Sequence, residues 1–158
     1  MVMLVALSRT HVPPRALHLR PALAETFPGH FRPHGEDGSF VIDGPEVAEQ
    51  AIVKSLVPGA AGFFTIHSAH GRYSDVSKAP GRIADPALQR LAMAQTCWLS
   101  IDFVHTWGPT TEAYRFIARA MARLAPADTA VLLRPPTQGA AAFDEPLRKR
   151  LAAAEDVP

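Results

Sequence analysis

Residues Cys97–Trp107 read CWLSIDFVHTW, and the first eight alternate with a period of two. Trp98, Ser100, Asp102 and Val104 fall on one side, and Leu99, Ile101 and Phe103 on the other. That is the pattern of a β-strand with one face turned to a core. An aspartate in the middle of such a strand needs a partner, because a lone desolvated carboxylate is costly. Arg72, Arg134 or a histidine would serve.

Upstream, FFTIHS (63–68) is aromatic and β-branched enough for a second strand, and it breaks into the polar loop AHGRYSD. Between the two strands, Asp85-Pro86 has the order of an N-cap followed by proline at the first helical position, so a helix is expected from about 86 to 96. Downstream, Thr110 or Thr111 is expected to cap a helix over 112–125, whose Tyr114, Ile117, Met121 and Leu124 repeat at helical spacing. TAVLLR (129–134) reads as a strand ended by the prolines of RPPTQG, and Asp144 as the cap of a last helix through Leu151.

At the other end, VMLVAL (2–7) reads as a buried strand. A helix opened by Thr10 or by Pro13-Pro14 runs to about Thr26, with a kink or break expected at Pro21. FPGHFRPHGEDG (27–38) has the composition of a loop, SFVID (39–43) that of a strand. In VAEQAIVKSLV (47–57) a strand is favoured for the second half.

Strands interleaved with helices on 158 residues give one domain over 1–158. The expected class is α+β: a single two-layer domain, a mixed sheet covered by helices on one face, ferredoxin-like or related. Apolar residues at 47% and charged residues at 20% are those of a chain that folds around a core. A formal charge of +1 gives no general pull toward nucleic acid or an anionic membrane. The single Cys97 forbids an internal disulfide and points to a reducing, cytoplasmic setting. The apolar start is cut short by Arg9 and the prolines, well below a membrane span.

Chemistry-bearing residues gather in the two quoted stretches. His67, His70, Asp75, Asp102 and His105 are the candidates for proton transfer or metal binding, with Asp102 able to orient an imidazole. Two histidines three apart do not by themselves make a zinc site, so no metal and no cofactor is assigned. Cys97 is expected to be a small buried thiol. Arg72 and Tyr73 are candidates for presentation at a binding surface. Arg115, Arg119 and Arg123 recur every fourth residue, a row able to meet phosphates or an acidic protein. No glycine-rich phosphate loop is present, since GAAG (59–62) precedes a strand instead of opening a helix.

From Phe63 to Pro135 the order of features resembles an uncharacterised bacterial family of domains of unknown function. The features are a strand ending in histidine, Tyr73-Ser74-Asp75, a helix, Trp98-Leu-Ser-Ile-Asp102, a helix begun by Glu112-Ala-Tyr114, and a closing apolar strand. The resemblance implies a cytoplasmic α+β domain of bacterial origin and carries no reaction, cofactor or catalytic residue.

The function expected is that of a non-catalytic protein-binding component, such as an immunity, adaptor or accessory domain, with homo-oligomerisation left open. The alternative is a small hydrolase or metal-dependent enzyme built on the His/Asp cluster. A third reading is weak RNA binding through the arginine row.

Overall fold

The computed structural model describes residues 2–31, 38–44, 49–74 and 82–155, and all that follows concerns these residues. Seven strands form one open sheet: β1 (Met3–Ser8), β2 (Phe40–Asp43), β3 (Gln50–Ser55), β4 (Gly62–His70), β5 (Cys97–Thr106), β6 (Val131–Arg134) and β7 (Gly139–Ala142). Four helices accompany it: α1 (Ala16–Thr26), α2 (Pro86–Met93), α3 (Thr110–Leu124) and α4 (Glu145–Ala152). The order across the sheet is β2-β3-β4-β5-β1-β6-β7.

The α+β class and its packed layers stand as expected, but the sheet is not mixed. Every ladder between named strands is antiparallel. The reason lies in the β5-α3-β6 unit. Its two strands run the same way, but β1 is inserted between them, so no parallel pair is ever adjacent. The segment β1-α1-β4-β5-α3-β6, with β2 and β3 added before β4, is the split βαβ arrangement of ferredoxin-like domains.

Three helices form the covering layer. Leu19 and Leu23 of α1, Ile117 and Met121 of α3, and Leu147 and Leu151 of α4 close over Leu4, Ala6, Phe64, Ile66, Leu99 and Ile101 of the sheet. α2 departs from the one-face expectation. It packs Leu88 and Ala92, with Ile83, against the other face at Val5, Leu7, Val131 and Leu133. Being covered on both sides, β1 is buried at every position after Met3, which is why its sequence is apolar from Met3 through Leu7.

Asp85 accepts from the amides of Ala87 and Leu88 at 2.8 and 3.4 Å, and Asp144 from that of Leu147 at 2.8 Å, as their positions required. Neither threonine caps α3; Pro109 occupies the cap position with no side-chain bond. Helix α1 begins at Ala16, later than expected, and continues through Pro21 without ending there. Leu17, whose carbonyl the proline leaves unbonded, sits on the solvent side at 78% exposure, where water can satisfy it. β7 forms where the sequence carries no strand signal. Its GAAA sequence has almost no strand propensity, and it pairs with β6 because a short 3-10 turn with Gln138 in the left-handed region folds it back.

The free edge of β2 is guarded by α1. Arg20 donates to the Val41 carbonyl at 2.8 Å, which occupies one of the backbone groups an edge strand would offer, and the Asp43 carboxylate accepts the Ala16 amide at 2.6 Å, which ties the start of α1 to β2. None of the described helices is long and apolar enough to cross a membrane.

Candidate functional site

The two polar stretches are adjacent because β4 and β5 pair along their whole length, from Gly62 opposite Thr106 to His70 opposite Cys97. Residues directly opposite one another project to the same side of a sheet, so the registers assemble rows. One row runs Ile42, Ile52, Thr65, Asp102, Met3. The next runs Gln50, His67, Ser100, Val5, Leu133. A third begins Phe40, Lys54, Phe63. These rows lie on the side opposite α1, α3 and α4.

Helix α2 covers only the β1-β6-β7 end of that side. Over β2, β3, β4 and the middle of β5 no described helix lies. The burial pattern records this: along β3 and β4 one side is buried and the other half-buried, residue by residue. Ile42 is 45% exposed, Val104 64% and Trp107 55%. Trp107 meets Phe63 edge-on at 5.6 Å, and Lys54 lies 5.4 Å from the Phe40 ring centre. A β-bulge at Phe63/Phe64 places an extra residue on β5 and helps bring Val104 outward.

In the middle of this apolar surface sit His67 and Asp102. Their closest atoms, Nε2 and Oδ2, are 3.9 Å apart, both side chains about 30% exposed. That is electrostatic contact, beyond the roughly 2.6–3.2 Å over which a proton is handed across a hydrogen bond. Asp102 Oδ1 is buried and has no hydrogen-bond partner among the described residues. Burial raises the Asp102 pKa above its usual 3.8, and the nearby His67 and hydrogen bonding from Ser100 pull it back only in part.

A carboxyl whose folded pKa is raised contributes stability that is fully present below its unfolded pKa and is lost as pH rises through the folded value. Asp102→Asn, which cannot ionise, is therefore expected to be more stable than the parent at pH 7, the gain vanishing as pH falls below about 3.8. Urea midpoints at pH 7 and pH 3.5 check this. An equal offset at both would show that the ionised carboxylate is not the cause.

The other candidates are dispersed. His70 lies an odd number of residues from His67 along β4, so the two imidazoles project to opposite sides and share no ligand. His70 instead meets Cys97, with Nδ1 3.6 Å from Sγ, and its ring lies tilted against that of His11, the ring centres 4.1 Å apart. His11 is in turn 3.1 Å from Glu49. Sequence reasoning treated Cys97 only as a buried thiol. Its burial is correct, but the imidazole beside it follows from the β4-β5 register, which no local signal reveals. Among the described residues no three His, Cys, Asp or Glu side chains are grouped to hold a metal ion. Asp75 lies outside the described residues, and of His105 only its place on β5, opposite Phe63, is described.

Arg72 is exposed as a surface residue would be, but Tyr73 turns inward, edge-on to Trp98 at 5.4 Å within the cluster under α2. The arginine row is on the helical side of the molecule, and its members are engaged. Arg115 pairs with Glu112 at 2.6 Å, Arg123 with Glu25 at 2.5 Å, and Arg119 donates to the Thr26 carbonyl at 2.9 Å while lying over Phe27. No family model matches this chain, and neither a curated protein nor a solved structure matches it.

Proposed function

We propose that the chain is a protein-binding domain that docks a partner on the β2-β5 half of its sheet, in the manner of an immunity, adaptor or accessory component of a bacterial cytoplasm. One observation carries this reading: an antiparallel sheet half with half-buried Phe40, Ile52 and Phe63 and exposed Ile42, Val104 and Trp107, over which no described helix lies. Contiguous exposed apolar surface rimmed by polar groups is characteristic of interaction sites, and aromatic residues commonly supply most of the binding energy there. The guarded β2 edge favours the face over strand addition as the mode of docking.

The test compares the parent with Val104→Glu, which puts a charge at the most exposed apolar position of the face. Both proteins are immobilised and exposed to lysate of the source organism. The expected result is a protein retained by the parent at several salt concentrations and absent from the variant, whose melting temperature is unchanged. Retention of the same proteins by both would place docking elsewhere, and recovery of the domain alone would count against docking altogether.

A further inference from the structure

We infer that the partner meets this face with a basic side chain, an arginine or lysine between apolar residues, delivered to the Asp102 carboxylate. The inference rests on the docking reading above and specifies its chemistry. Apolar side chains flank Asp102 on this face: Met3 stands directly opposite it on β1, Ile52 lies beyond Thr65 on its other side, and Val104 follows on the same strand. Oδ1 of this carboxylate is buried with no partner among the described residues, and His67 approaches only the other oxygen. Because Oδ1 is closed to solvent, a partner reaches this half-buried carboxylate from its partly exposed Oδ2 side, where a cation offsets the charge that burial makes costly to keep.

Among the described cations, Lys54, on the same face, lies over the Phe40 ring, and Arg134 lies over Tyr114. An arginine or lysine suits the surroundings in both its parts, since its aliphatic stem can lie along Ile42, Ile52 and Val104 while its head reaches the carboxylate. A second copy of the chain is the less fitting occupant: a two-fold axis through the centre of the face would bring the Asp102 carboxylates of both copies together. A partner of opposite charge avoids that repulsion.

The experiment pans the immobilised 158-residue chain with a random phage-displayed dodecapeptide library, discarding clones that also bind Val104→Glu. Recovered peptides are expected to carry an arginine or lysine flanked by apolar residues. As synthetic peptides they should bind Asp102→Asn at least about tenfold more weakly than the parent. Replacing the basic residue of the peptide by norleucine should remove that difference, so that the two changes together cost little more than either alone. Face-dependent peptides without a basic residue, or with equal affinity for Asp102→Asn, overturn the cation while leaving the docking face in place. An absence of face-dependent peptides overturns both. Sedimentation of the parent and of Val104→Glu over a range of concentrations covers the remaining occupant, for a dimer that the variant dissociates would put a second copy on the face instead.

Discussion

Phe64→Ala is expected to cost about 3–5 kcal/mol of folding stability, the range for deleting a fully buried aromatic ring. Phe64 is 0% exposed on β4 and touches elements that come from distant parts of the chain. It meets Phe103 of β5 edge-on at 4.5 Å and Phe116 of α3 at 4.2 Å, and Phe116 stacks on Phe27, just beyond α1, at 4.4 Å. Truncation removes the ring through which sheet and helical layer share one aromatic stack. Against a total of about 5–15 kcal/mol for a domain, the variant would be left marginal. Urea unfolding is the measurement, with the midpoint lowered and the slope preserved. A loss under about 1 kcal/mol would mean that the surrounding rings close over the space.

Trp107→Ala is expected to weaken partner binding by about thirtyfold or more, equivalent to roughly 2 kcal/mol, as for an aromatic anchor of an interface. Its effect on the fold should be small, because the ring is 55% exposed and its contact with Phe63 is at the surface. Calorimetric titration with the captured partner, beside thermal melts of the free domain, separates the two effects. Undiminished binding would remove Trp107 from the interface. A parallel fall in melting temperature would make it a packing residue. The contrast with Phe64 is informative, since the two aromatics belong to opposite sides of one sheet and, over β2 to β5, only the Phe64 side has a described helix over it.

Asp102 illustrates how stability and binding can pull apart at one residue. Neutralising it is expected to stabilise the free domain at pH 7 and, on the cation inference, to weaken the complex. A residue that costs the fold something is more readily understood by what it does for a ligand than by what it does for the core.

What could be read from the sequence was whatever is encoded over a few consecutive residues. The alternation in CWLSIDFV gave β5 and correctly separated Asp102 from Ile101. Asp85-Pro86 and Asp144 gave two helix starts, although α2 stops at Met93 where periodicity carried it further. What could not be read is whatever depends on partners far along the chain. Arg123 finds Glu25 and Arg119 finds Thr26 across more than ninety intervening residues, which turns an apparent phosphate row into helix-to-helix ties. The meeting of His67 with Asp102, and the separate meeting of His70 with Cys97, both follow from strand register. The insertion of β1 between β5 and β6, which makes the sheet antiparallel throughout, has no local signature at all.

That insertion bears on how the domain is made. The strand nearest the start of the chain is bonded to Ser100 on one side and to Leu133 on the other through Val5, and it is among the most deeply buried of all. A ribosome delivers MLVALS well before either of its neighbours, β5 and β6. Until both have emerged, that largely apolar hexapeptide has nowhere native to go, and its safekeeping falls to transient contacts or to chaperones.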